Sequence, residues 1–203
     1  MEGKTILVVV FVLFFWAALL CCAPASAKDL MIASFENGDT SDIGTSIGTW
    51  SSDPLDTSQG TTMEIIPLYG VMGKATKETG VMKITYDVAT TGPAFNGIYI
   101  KLNNMDLAPY NNMSMLIKGE ADKGFTTKFK VELKNIRGQR ATCVMGGIND
   151  SWQQVSIPMQ EFKAAGSLGN LNGIAEIDIT FDDMTVDSKE GVLYIDEIKF
   201  STE

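Results

Sequence analysis

Lys128-Phe129-Lys130-Val131-Glu132-Leu133-Lys134 sets Phe129, Val131 and Leu133 against Lys128, Lys130, Glu132 and Lys134 without a break in the alternation. A period of two puts every second side chain on one face of an extended chain, so this stretch reads as a strand with one buried and one wet face. Residues 135–138 supply a turn, and residues 140–145 return as a hairpin partner with Ala141, Cys143 and Met145 on the inward side. A half-exposed antiparallel sheet is therefore the expected building unit.

The same period extends in both directions. Upstream, residues 30–35, 62–67, 81–88, 97–102 and 111–118 alternate or carry short apolar runs, with Met82, Ile84, Tyr86 and Val88 sharing one face and Met113, Met115 and Ile117 another. Between the first two of these lies a Ser/Thr/Gly-rich stretch with Trp50, read as loop. Downstream come strands at 152–158, 174–181 and 191–200, a short helical segment at 159–165 and a Gly/Asn loop to Gly173. No stretch keeps a 3.6-residue apolar period long enough for a main helix. About ten short strands predict two sheets of roughly five, an all-β, two-sheet antiparallel β-sandwich of jelly-roll type.

Residues 1–27 carry Lys4 in a short polar start, an apolar run from Ile6 to Leu20 and a small-residue end at Ala25-Ser26-Ala27. This is the layout of a cleavable signal peptide, which predicts export to a periplasmic or extracellular location and a single mature domain over residues 28–203. An uncleaved membrane anchor is the alternative, and a lipid anchor at Cys21-Cys22 is disfavoured by Leu20, where a small residue is needed. The formal net charge of −9 makes nucleic acid and anionic membranes poor partners, and no membrane insertion of the mature chain is expected. Without the leader only Cys143 of the three cysteines remains, so no intrachain disulfide is expected. Histidine is absent altogether, which excludes Ser-His and Cys-His catalytic pairs and His-ligated zinc or copper.

Phe35-Glu36-Asn37-Gly38, Met82-Lys83-Ile84-Thr85-Tyr86-Asp87-Val88, Gly97-Ile98-Tyr99-Ile100-Lys101-Leu102, the stretch from Lys128 to Lys134, Trp152-Gln153-Gln154-Val155-Ser156-Ile157-Pro158 and Leu193-Tyr194-Ile195-Asp196-Glu197-Ile198 follow one another in that order. Together they resemble the galactose-binding-like jelly roll, in particular the carbohydrate-binding modules of family 11, and share much with the complex I intermediate-associated proteins. An exported chain favours the former. The resemblance implies a noncatalytic module that holds a polysaccharide or oligosaccharide in a shallow groove across one sheet, often beside a structural calcium. It also implies that Glu36 and Asp196 meet at one end of the sandwich as that metal's ligands. Calcium takes six to eight oxygens, and the turn Glu36-Asn37-Gly38-Asp39 offers both carboxylates and carbonyls.

The sugar groove is expected on the outward faces of the central strands, because sugars need aromatic faces for stacking and planar polar groups for their hydroxyls. Tyr99, Lys101, Lys130, Glu132, Arg140, Thr142, Asp178 and Thr180 all point away from the apolar set of their own strand. An ordinary solvated face with cross-strand charge pairs is the plainer reading of the same residues. Trp50, Tyr69 and Tyr110 are candidates for the rim, while Tyr86 and Tyr194 fall in registers read as facing the core. A glycoside hydrolase is the least favoured reading: Glu176-Ile177-Asp178-Ile179-Thr180 has Thr180 where a third same-face carboxylate would stand. An extracellular or envelope protein–protein interaction domain on the same sandwich is the alternative to sugar binding.

Overall fold

Each half-apolar segment can hide its apolar face only against a second such layer, and the chain satisfies this with two stacked antiparallel sheets. The computed structural model describes residues 29–38, 40–72, 78–166 and 168–203; the leader read at 1–27 and Asp39 of the proposed calcium turn lie outside them. The described strands are β1 (Leu30–Ala33), β2 (Ile47–Ser51), β3 (Gly60–Leu68), β4 (Thr79–Asp87), β5 (Phe95–Met105), β6 (Asn112–Gly119), β7 (Lys128–Asn135), β8 (Arg140–Gly146), β9 (Gln153–Pro158), β10 (Ile174–Asp182) and β11 (Glu190–Ser201). A short helix, α1 (Met159–Ala164), follows β9. One sheet runs β3-β4-β11-β6-β9 with β1 added beside β11, and the other runs β2-β5-β10-β7-β8. The jelly-roll sandwich expected from the alternation is what forms.

The inward residues of both sheets make one continuous core. Phe129, Val131 and Leu133 of β7, Ala141, Cys143 and Met145 of β8, and Met113, Met115 and Ile117 of β6 all belong to it, on the faces the alternation assigns to them. Tyr86 stacks on Phe181 with ring centroids 4.2 Å apart, so the two sheets meet through an aromatic pair. Met159 and Phe162, one helical turn apart on α1, bury against the same core. Burial pushes the Cys143 thiol up to about 11, so it packs as an unreactive apolar group.

Three details differ from the sequence expectation. The stretch around Trp50 is a strand, β2, and the sheets hold six and five strands. As an edge strand β2 buries Ile47 and has the sequence IGTWS, whose small and polar residues carry no alternating apolar signal. Tyr194 does not face the core. It belongs to a second, smaller apolar cluster on the outside of the six-stranded sheet with Val71, Val81, Leu116 and Val192, and its hydroxyl donates to Glu120 Oε2 at 2.7 Å.

β5 lies inside the five-stranded sheet, paired with β2 through Trp50↔Gly97 and with β10 through Thr180↔Gly97. At Gly97 the strands approach so closely that a Cβ would stand 2.0 Å from the Ile179 carbonyl oxygen. Only backbone movement could relieve that contact. Gly97→Ala is expected to destabilise the protein by at least ~2 kcal/mol, read as a lower denaturation midpoint in urea; an unchanged midpoint would contradict the close approach.

Candidate functional site

Register places the outward side chains of the five-stranded sheet in rows across the strands. Tyr99 of β5 lies opposite Asp178 of β10, Asp178 opposite Glu132 of β7, and Glu132 opposite Thr142 of β8. The next row aligns Trp50, Gly97, Thr180, Lys130 and Val144, and the row on the other side aligns Lys101, Glu176, Lys134 and Arg140. All eight residues read from the sequence as groove candidates therefore share one face. A cleft of about 440 Å³ crosses it, with Trp50, Phe95 and Met184 as an apolar wall and Lys130, Glu132, Lys134, Thr180 and Asp182 as a polar floor, closed by Arg140.

Lys130, Glu132, Arg140 and Thr180 line that cleft directly. Tyr99, Lys101, Thr142 and Asp178 do not line it and act around it. Tyr99 lies across Gly48, where a Cβ would come within 2.5 Å of its hydroxyl, and Lys101 Nζ stands 4.9 Å from the Tyr99 ring centroid. Thr142 donates to Glu132 Oε1 at 3.1 Å, and Arg140 Nη1 to Glu132 Oε2 at 3.4 Å. Asp178 is 0% exposed.

Lys134 holds these groups together. Its ammonium contacts Asp178 Oδ2, lies 3.2 Å from Glu176 Oε1 and sits 5.7 Å from the centroid of the Trp50 ring. Glu176 is held on its other oxygen by Lys101, and Lys130 pairs with Asp182 at 3.0 Å. The acids lie deepest and the bases stand above them, so most of the floor's charge is paired internally. Burial works against ionisation of Glu176, but bonds from Lys101 and Lys134 outweigh it and hold its pKa below the ordinary value. Burial likewise opposes the charge on Lys134, and Asp178 and Glu176 outweigh it, raising the lysine pKa. For Asp178 burial wins: in spite of Lys134 its carboxyl is pushed up to about 6, with Glu176 and Glu132 adding to the rise.

Three buried polar atoms on this face have neither a hydrogen bond nor an ion pair among the described residues: Trp50 Nε1, Asp178 Oδ1 and Thr180 Oγ1. Native proteins pair most such groups, and two of these three side chains, Trp50 and Thr180, line the cleft. The wall beside them is exposed apolar surface, with Phe95 45% and Met184 87% exposed and the Trp50 and Phe95 rings edge to face at 6.1 Å.

Residues 43–202 match the family model described as carbohydrate binding domain 30. The chain belongs to that family. Solved structures similar to this carbohydrate-binding domain include the family 11 carbohydrate-binding module of a cellulosomal cellulase of Clostridium thermocellum, with 17% identity, a TM-score of 0.63 and coverage of 88% of this chain and 97% of that one. A family 11 module from Clostridium thermocellum in complex with a β-1,3-1,4-mixed-linked tetrasaccharide has 19% identity and a TM-score of 0.61, covering 87% and 97%. An exo-β-agarase aligns at 14% identity and a TM-score of 0.59 over 86% of this chain but 25% of its own. At such identities these likenesses establish the jelly-roll fold. No curated protein matches the sequence.

The calcium candidates lie elsewhere in the domain. Thr79 donates to the Glu36 carboxylate, the Phe35 carbonyl packs so closely on Gly80 that a Cβ there would be 2.1 Å from it, and Ile195, next to Asp196, pairs with Met82. Glu36 and Asp196 thus flank the first residues of β4. Asp196 is fully buried and accepts from the Glu197 N–H at 2.7 Å, where β11 bulges and Glu197 takes a φ of 49°. The donor set is oxygen only, which fits a hard cation. Among the described residues no group of three or more His, Cys, Asp or Glu side chains gathers there or anywhere else, so backbone carbonyls and hydroxyls would have to complete a coordination shell.

Trp50, Phe95, Lys134, Asp182 and Met184 complete the cleft beyond the eight residues read from the sequence. Lys134 reads there as a further outward charge and Trp50 as a rim residue in a loop, while Asp182 lies one residue past the strand read at 174–181.

Asp178 binds its proton more tightly folded than at the ordinary carboxyl value of 3.8. This group therefore stabilises the fold most below about pH 4, and that contribution is lost as pH rises through about 6. Asp178→Asn, which cannot ionise, should gain in melting temperature relative to the wild type by on the order of 5 °C between about pH 4 and pH 7. A difference that does not change with pH would refute the buried, proton-binding carboxyl.

Proposed function

We propose that the protein is an exported, noncatalytic module that binds a polysaccharide or oligosaccharide across the outer face of the five-stranded sheet. The observation that supports this most directly is the pairing of unused hydrogen-bonding capacity at Trp50 Nε1 and Thr180 Oγ1 with the apolar wall of Trp50, Phe95 and Met184. A pyranose ring presents the same two chemistries, C–H faces for an aromatic wall and hydroxyls for polar groups. The family match to a carbohydrate-binding domain supports the same reading.

The noncatalytic part of the reading rests on the state of the carboxylates. Glycoside hydrolysis needs two carboxyls that reach opposite sides of the scissile bond. Here Asp178 is fully buried, Glu176 is held by two lysines, Glu132 is held by Arg140 and Thr142, and Thr180 stands at the third position of the Glu176-x-Asp178-x-Thr180 strand. They form a rigid charged floor. Export rests on the leader at residues 1–27. We further propose a structural calcium held by Glu36 and Asp196, which would tie the turn after β1 to β4 and β11.

Affinity electrophoresis through mixed-linked β-1,3-1,4-glucan tests the sugar reading, because a tetrasaccharide of that linkage occupies a family 11 module of the same fold. Retardation is expected, and Trp50→Ala should weaken it at least tenfold, about 1.4 kcal/mol. Absence of retardation on this glucan and on a panel of other plant and microbial polysaccharides would overturn the proposal. For the metal, calcium should raise the melting temperature and a chelator should lower it; identical curves would remove the calcium site.

A further inference from the structure

The strands that carry the aromatic wall run straight into the loops of a second cavity. Residues 52–59 follow Trp50 at the end of β2, and residues 89–93 precede Phe95 at the start of β5. Between these loops lies a cavity of about 540 Å³, lined by Ser52, Asp56, Gln59, Thr91, Gly92 and Pro93 among others, and Pro93 also lines the cleft. The two hollows thus adjoin at the edge of the sheet.

The second hollow has an organised polar lining. Ser52 N–H donates to the Phe95 carbonyl at 3.1 Å, which ties the loop to the cleft wall. Asp56 accepts from Ser58 N–H at 2.9 Å, from Ser58 Oγ at 2.6 Å and from Gln59 Nε2 at 2.9 Å. Hydrogen bonds from Ser58 and Gln59 hold the Asp56 carboxyl below the ordinary value, so it stays ionised and keeps the amide fixed. The other end of that amide, Gln59 Oε1, is buried and has no hydrogen-bond partner among the described residues. This repeats the pattern of the cleft floor: a side chain held in place at one atom and unused at another.

From β2 to β8 the sheet spans four inter-strand spacings, ~19 Å. A glycan longer than that must leave the sheet at one edge. On the β2 side it would pass Trp50, Phe95 and Pro93 and enter the second hollow. We infer that the hollow between residues 52–59 and 89–93 is an additional subsite for a long, uncharged glycan chain, whose hydroxyls donate to Gln59 Oε1. An anionic sugar would be repelled by Asp53 and Asp56, which both line it. The inference rests on the reading of the cleft as a glycan site.

Chain length provides the test, with mixed-linked β-1,3-1,4-gluco-oligosaccharides of four and of eight units titrated calorimetrically into the full domain. A longer ligand also gains statistically from sliding between registers, so the variants decide. Gln59→Ala should weaken the octasaccharide about fivefold, the worth of one or two hydrogen bonds, and leave the tetrasaccharide within about twofold. At Gly92, which lines the hollow, a Cβ would meet nothing within 4 Å, so Gly92→Leu adds bulk there without a clash at its Cβ and should have the same selective effect. Equal loss for both lengths, or no loss for either, overturns the subsite while tight tetrasaccharide binding keeps the cleft. If the wild type binds neither length and no other glycan, the cleft reading fails and the subsite with it.

Discussion

A carboxyl with no exposure on the outer face of a sheet stays ionised only with a cation in contact, since an uncompensated buried charge costs several kcal/mol. In this domain Lys134 is that cation for Asp178. Once its ammonium is fixed between Asp178 and Glu176, it also lies by the Trp50 ring, and Trp50 in turn meets Phe95 edge to face. The wall of the cleft and its floor are therefore set by one charge. Lys101 and Lys130 take up the remaining acids at either end of β10, which leaves the floor closely balanced although the chain as a whole carries −9. That balance suits hydroxyl groups, which need fixed donors and acceptors more than net charge.

The period of two carried most of the fold into the sequence, because each strand buries one face against the facing sheet and wets the other. It failed at β2, where an edge strand with one buried residue, Ile47, has nothing to alternate. The outward set was legible for the same reason that the core was, and Tyr99, Lys101, Lys130, Glu132, Arg140, Thr142, Asp178 and Thr180 do share a face. Which of them line a cleft was not legible, because the order β2-β5-β10-β7-β8 joins strands far apart in the chain. Met184 reaches the cleft from the loop after β10, and Trp50 from the strand that carried no signal. Lys134 could not be told from Lys128 or Lys130 by spacing; its role comes from two acids on β10 that only pairing brings beside it.

The sandwich also separates its tasks by layer. The five-stranded sheet turns charge and aromatic surface outward, whereas the six-stranded sheet covers part of its outer face with Val71, Val81, Leu116, Val192 and Tyr194. The turn after β1 and the bulge at Glu197 lie on the six-stranded side, away from the cleft. The cleft and the proposed metal thus depend on different strands, joined through the shared core and the stacked Tyr86 and Phe181 rings.

That separation extends to the tryptophans. Among the described residues there are two, Trp50 in the wall of the cleft and Trp152 packed on the apolar cluster of the opposite sheet. Indole emission follows the charge and solvent around the ring, and Trp50 has the Lys134 ammonium for a neighbour while Trp152 is remote from the cleft. The domain carries its own optical probe at the groove and a built-in reference on its far side, so occupancy of the cleft can be followed in solution without attaching a label.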